Sequence, residues 1–229
     1  MTQKYLKIGH RGAKGHLAEN TIESITKALE YHVDGIEIDV HRCATGELVV
    51  FHDFTLDRMT NGTGEMAAHS FEALRKLKID TYYQIPTLEE VLNLLCNSCL
   101  LNIELKGKNT AEGTVQIIKD AVKGKKWSYN NIIVSSFQHH ELEHVFKHDK
   151  NILLGVLTKA NMDEALEFAK TVNAVAIHPN VALVTRSNVK RVQELGYSVN
   201  VWTANEKATI ERMKKYGVDG IISDYPDRL

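Results

Sequence analysis

Two imidazoles and three carboxylates close short apolar runs in the first half of this 229-residue chain. His10 follows Ile8-Gly9, Glu37 and Asp39 alternate with Ile36, Ile38 and Val40, His52 follows Val50-Phe51, and Glu104 stands in Ile103-Glu104-Leu105-Lys106. Residues two apart in an extended segment share a face, so Glu37 and Asp39 point one way while Ile36 and Ile38 point the other. Glu104 and Lys106 repeat that spacing. Carboxylates converging from neighbouring strands repel one another unless a cation lies among them, and oxygen-only donors suit Mg²⁺, Ca²⁺ or Mn²⁺ better than zinc. The same acids have a second use, ion pairing with Arg11 and Lys106 at the rim of a sheet. Two histidines near neutral pH can share acid and base work, one accepting a proton while the other supplies one to a leaving oxygen. Neither imidazole means much alone, and the inference rests on the set.

Such groups need a frame that brings them together. Apolar, β-branched runs near residues 6–9, 35–40, 101–105, 132–136, 152–157, 174–178, 198–202 and 220–223 alternate with helical patterns. About eight such units predict an α/β fold, a (β/α)8 TIM barrel spanning residues 1–229 as one domain. In that fold, reactive groups collect at the C-terminal ends of the strands, where His10, Glu37, Asp39 and Glu104 fall. Asn20 with Glu23 and Thr87 with Glu90 have capping-box spacing, while Gly196 and Gly217 sit where a left-handed helix stop belongs. Ala44-Thr45-Gly46-Glu47 reads as a turn returning into Leu48-Val49-Val50-Phe51, a hairpin arm that ends at His52. A polar stretch from Asp53 to Gln84, with a short helical pattern at Phe71, Leu74 and Leu77, predicts a small insertion after the second barrel strand.

The bulk composition excludes several classes. Lys and Arg total 28 against 29 Asp and Glu, so no global field favours nucleic acid or an anionic membrane. The start, Met1 to Ile8, lacks a secretory apolar stretch, and no uncharged apolar run could span a bilayer. Three cysteines do not make a disulfide framework. A cytoplasmic protein with no stable membrane association is expected.

Ten blocks in order carry a resemblance: His10-Arg11-Gly12, Glu19-Asn20-Thr21, Glu37-Ile38-Asp39-Val40, Val50-Phe51-His52-Asp53, Thr55-Leu56-Asp57-Arg58, Asn61-Gly62-Thr63-Gly64, Pro86-Thr87-Leu88-Glu89-Glu90, Glu104-Leu105-Lys106, Val201-Trp202-Thr203 and Ser223-Asp224-Tyr225-Pro226. Together they resemble the glycerophosphodiester phosphodiesterase family across nearly the whole chain. The resemblance implies a distorted β/α barrel and hydrolysis of a small glycerophosphodiester to glycerol 3-phosphate and an alcohol. It also implies a divalent cation, Mg²⁺ or Ca²⁺ with Mn²⁺ as a third option, held by Glu37, Asp39 and Glu104. His10 and His52 would be the acid and base, Arg11 and Lys106 would grip the phosphate, and Trp202 and Phe137 would wall the glycerol or leaving group. The nucleophile would be water, or the glycerol C2 hydroxyl by way of a cyclic phosphate. Ala18 and Met59 depart from the family's usual proline and threonine, which bears on loop shape beside the catalytic blocks.

Other patterns lead elsewhere. His140-Glu141-Leu142-Glu143-His144 matches a zinc-protease helix, yet Leu142, Val145 and Phe146 form its inward stripe and leave the histidines on the outer face. Cys96-Asn97-Ser98-Cys99 ends a helix rather than starting one, so no helix dipole activates a thiol. His178 beside Pro179 has two readings, a cavity wall or a hydrogen-bonded structural residue. Rival functions are a lysophospholipase D-like or phosphoinositide-lyase-like enzyme and, from another class, a non-catalytic phosphate-binding barrel.

Overall fold

The computed structural model describes residues 5–229; Met1 to Lys4, part of the start on which no leader is expected, lie outside them. Eight parallel strands close on themselves: β1 (Leu6–His10), β2 (Gly35–Arg42), β4 (Leu100–Leu105), β5 (Ile132–Ser136), β6 (Leu153–Thr158), β7 (Ala176–Pro179), β8 (Ser198–Val201) and β9 (Gly220–Ser223). β1 pairs with both β2 and β9, and that double pairing seals the barrel. β3 (Leu48–Val50) runs antiparallel to the end of β2, as the hairpin pattern predicts.

Helices α1 (Ile22–Glu30), α2 (Phe71–Lys76), α3 (Leu88–Leu95), α4 (Ala111–Lys123), α5 (His139–His148), α6 (Met162–Thr171), α7 (Arg186–Glu194) and α8 (Lys207–Tyr216) complete the framework. Their buried residues join the outward faces of the strands in one continuous core, with Ile25, Ile38, Leu101, Val134, Leu154 and Ile221 essentially inaccessible. Such large side chains each contribute about 1.5–3 kcal/mol on full burial. A second small core, built on Val49, Phe51, Leu56, Met66, Leu74, Ile79 and Ile85, anchors the insertion to the hairpin arm.

Helix ends follow local chemistry with one instructive exception. Thr87 and Glu90 form a reciprocal capping box on α3, and Gly217 stops α8 in the left-handed region. Gly196 also has positive φ, just past α7. At α1 the cap is Thr21, not the expected Asn20, because Thr21 accepts the Ser24 N–H. The Asn20 side chain is occupied elsewhere, donating to Asp39 across 2.9 Å.

Candidate active site

His10 ends β1, Glu37 and Asp39 lie on β2, Glu104 on β4, and His52 follows the hairpin arm. Register makes them neighbours: His10 pairs with Glu37, and Asp39 with Glu104. Period-two alternation turns all four inward at the same end of the barrel. His10, Arg11, Glu37, His52, Glu104, Lys106, Phe137 and Trp202 line one cavity of about 220 Å³. Every predicted site residue except Asp39 therefore faces that space, and Asp39 lies buried directly behind it.

The loop after β1 is shaped by close approach. A Cβ on Gly12, which has φ of +83°, would meet the Ser24 backbone and hydroxyl within 2.6 Å. Arg11 itself adopts φ of 52°, an uncommon conformation for a bulky side chain, and so stores local strain. The consequence is aim. Its backbone N–H donates to Glu37 Oε2 at 3.0 Å, while its guanidinium donates to Glu19 at 2.7 Å and lies 3.1 Å from Asp39.

One oxygen each from Glu37, Asp39 and Glu104 fall within 4.8 Å of one another, all buried. Three carboxylates so close cannot all ionise without compensation. Burial, then the charges of Asp39 and Glu104, pushes Glu37 well above the usual carboxylate range. Burial and Asp39 raise Glu104 to about 7. Burial also disfavours the Asp39 anion, but Arg11 and Lys106 outweigh it and hold that carboxyl far below the ordinary range. Lys106 Nζ bridges two of the acids, 2.5 Å from Glu104 and 3.3 Å from Asp39. The ion pairs foreseen as the alternative use of these acids are thus real.

The same donors fit a hard cation. All are carboxylate oxygens, and Asp39 Oδ1 is buried without a hydrogen bond, as is Asn102 Oδ1 in the cavity wall. A cation there would compete with the Lys106 ammonium for Asp39 and Glu104. Glu19, His52 and Asp53 also approach one another, but Arg11 and Arg58 already neutralise those acids.

Each histidine has a carboxylate behind it, which sequence reasoning did not assign. His10 Nδ1 lies 2.5 Å from Asp224 Oδ1, and His52 Nδ1 lies 2.6 Å from Asp53 Oδ1. Both contacts leave Nε2 to face the cavity. Burial lowers the pKa of both imidazoles, against the raising effect of their carboxylates. Asn205 fixes Asp224 by donating to it at 2.8 Å and accepting its backbone N–H at 2.9 Å. Despite burial, the bond from His10 holds Asp224 down to about 2. Asp53 is gripped twice by Arg58, which also donates to Glu19 at 2.6 Å. A continuous chain of charge therefore links His52 to Arg11. The strand-end rule that found His10 reaches Asp224 too, since it follows β9 directly.

The far wall is aromatic. Phe137 and Trp202 meet edge to face with centroids 5.5 Å apart, and Trp202 Nε1 donates to the His178 carbonyl at 2.8 Å. His178 does not line the cavity. It is sealed inside the barrel, where its Nε2 accepts from Asn200 and desolvation drops its pKa to about 4.

The zinc-protease pattern resolves as structure. Glu141 is buried, accepting the backbone N–H groups of Asn109, Thr110 and Ala111 at the start of α4. His140 and His144 are exposed. Cys43, Cys96 and Cys99 are free thiols. Among the described residues no helix is long and apolar enough to cross a membrane.

Residues 10–228 match the model of the glycerophosphoryl diester phosphodiesterase family. A glycerophosphodiester phosphodiesterase of Caldanaerobacter subterraneus is 35% identical over 99% of this chain and 96% of its own length. One from Bacillus altitudinis is 35% identical over 96% of this chain and 95% of its own. A phosphodiesterase of Oleispira antarctica, solved in complex with its product sn-glycerol-3-phosphate, superposes with a TM-score of 0.87 at 27% identity, covering 96% of this chain and 93% of that one.

Proposed function

The chain belongs to the glycerophosphoryl diester phosphodiesterase family and is a phosphoric diester hydrolase; from that premise we propose that it hydrolyses water-soluble glycerophosphodiesters to glycerol 3-phosphate and an alcohol, with two histidines as acid and base and a divalent cation at Glu37, Asp39 and Glu104. The observation that carries this reading is the pairing of each imidazole with its own carboxylate at the edge of a single cavity. A barrel that only bound phosphate would need the cations but not two oriented proton carriers. The product bound by the Oleispira relative supports glycerol 3-phosphate as the product here.

The phosphodiester arrives with one negative charge, which gains density as an oxygen nucleophile adds, so fixed positive charge at the phosphoryl oxygens lowers the barrier. Arg11 and Lys106 bring that charge from the cavity wall. A divalent cation, when bound, adds further positive charge at the same point and polarises oxygen. One imidazole takes the proton of the attacking hydroxyl through Nε2, and the other gives a proton to the departing alkoxide. One water is consumed, one P–O bond forms, another breaks, and the two histidines exchange protonation states. Asp224 and Asp53 hold the rings in the tautomer this demands and stabilise each imidazolium as it forms. Trp202 and Phe137 shield the departing side from water.

The composition argues for a cytoplasmic enzyme acting on soluble diesters rather than on bilayers. A coupled assay for released glycerol 3-phosphate, run over several headgroups with Mg²⁺, Ca²⁺ or chelator, tests the proposal. Release with no headgroup under any condition would reject the activity, and chelator-resistant release would reject the cation.

A further inference from the structure

The catalytic cavity continues past Phe137. A second hollow of about 210 Å³ shares Phe137, Leu157 and Lys159 with it and extends over the loop between β6 and α6 as far as Asn161 and Glu164. Sharing that wall, the two lie side by side, and together they are read as a groove running outward from the histidines.

Two unpaired opposite charges stand along this groove. Lys159 follows the end of β6 and is exposed, with its Nζ 5.7 Å from the centre of the Phe137 ring. Lys106 stands 5.9 Å from the same ring, on the cavity wall beside Glu104 and Asp39. Lys159 has no carboxylate within ion-pair distance among the described residues, and neither has Glu164 a cation. Glu164 sits in the first turn of α6, where its backbone N–H donates to the Asn161 cap and its side chain borders only the outer hollow. With Arg11 and Lys106 assigned to the phosphodiester group in the reading above, Lys159, which has no carboxylate partner among the described residues, is left to face the arm beyond it.

We propose that this extension is a headgroup subsite for an alcohol that carries both a carboxylate and an ammonium, as serine does; the proposal rests on the diesterase reading above. An arm leaving the phosphoryl centre meets the Lys159 ammonium at the shared wall and the Glu164 carboxylate beyond it. The carboxylate of serine faces the first and its ammonium the second, with both substituents on one carbon. A glycerol headgroup uses neither charge. Ethanolamine and choline can use only Glu164, and they bring a cation past Lys159. Exposed ion pairs are weak, worth about 0.2–1 kcal/mol or up to about 5-fold each, so the subsite biases selection rather than enforcing it.

The test compares kcat/KM of the full chain for glycerophosphoserine, glycerophosphoethanolamine and glycerophosphoglycerol, in the wild type, Lys159→Gln and Glu164→Gln. The wild type is expected to favour serine over glycerol by about 5-fold, with the preference shrinking as salt rises from about 0.05 to about 0.5 M. Lys159→Gln should cut the serine-to-glycerol ratio about 3-fold without lowering the ethanolamine-to-glycerol ratio, and Glu164→Gln should cut both ratios. Each ratio is internal to one protein, so altered yield or partial misfolding does not imitate the result. A wild-type serine-to-glycerol ratio of one or less, or a serine-to-glycerol ratio that falls in only one variant or in neither, overturns the subsite while leaving the diesterase intact. Failure of the wild type to hydrolyse any of the three overturns the diesterase reading and the subsite with it.

Discussion

His10 and Asp224 are 214 positions apart in sequence, yet Nδ1 of the first lies 2.5 Å from a carboxylate oxygen of the second. The contact exists because β1 and β9 are neighbours in the closed barrel. It gives the imidazole a fixed orientation, and it places one member of the proposed catalytic pair under the control of β9.

That control has a measurable signature. Burial lowers the His10 pKa and Asp224 opposes the shift, so Asp224→Asn should lower it further. The limb of the pH profile that belongs to His10 should move to lower pH, and kcat should fall by about 10-fold or more as the tautomer is lost. NMR titration of the His10 ring reads the shift directly. An unchanged titration would mean that Asp224 does not orient this histidine.

Replacing either imidazole removes a proton carrier and leaves the carboxylates in place. His10→Ala and His52→Ala should each lower turnover by about 10² to 10⁴ while cation binding, followed by calorimetry, persists. Near wild-type rates in both would discard the pair.

Cation uptake should depend on pH. Glu37 and Glu104 keep their protons at unusually high pH in the cation-free protein, Glu104 with a pKa of about 7. A cation must displace those protons, so the apparent affinity for Mg²⁺ or Ca²⁺ should rise from pH 6 to pH 8, with proton release visible as a buffer-dependent heat. Binding without release would show that these acids are not the ligands.

The same raised values fix the sign of a stability effect. A carboxyl whose folded pKa exceeds its unfolded value of about 4.3 stabilises fully below that value and loses the contribution as pH climbs through the folded pKa. For Glu104 the window runs up to about 7. Asp39 acts oppositely, its contribution present above about 3.9 and lost on acidification. Without cation, Glu104→Gln should therefore melt above the wild type at pH 8, with the difference vanishing near pH 4. Parallel melting temperatures across that range would contradict the buried charge.

Glu141 belongs to the architecture, and its loss should show in stability rather than in chemistry. Glu141→Ala leaves three N–H groups at the start of α4 without their acceptor and should cost about 2–4 kcal/mol, read by urea denaturation. His144→Ala, on the exposed face of the same helix, should change neither stability nor turnover. A loss of activity in His144→Ala would reopen the metalloprotease pattern.

Much of this was legible because the strand period is simple. Glu37 and Asp39 had to share a face, and apolar runs alternating with capped helices predicted the closed sheet and the hairpin arm that delivers His52. Partners set by closure were not legible from any local window. Asp224 and Asn205 reach His10 only when the last strand meets the first. Asn20 has the sequence signature of a helix cap, but its buried side chain is taken by Asp39, donating to the carboxylate and accepting the backbone N–H, and Thr21 caps the helix instead. Glu141 sits in a motif with a catalytic look, and only its burial shows that backbone amides claim it. His178 fits the strand-end pattern, yet its neighbour Asn200 draws it into the barrel interior.

The seam between β1 and β9 also acts as a check on completion. A chain cut before Asp224 would still carry both imidazoles and the three clustered acids, but His10 would have lost the anion that aligns it. During synthesis the proposed site would thus be completed late, when β9 emerges, at the point where it is encoded first.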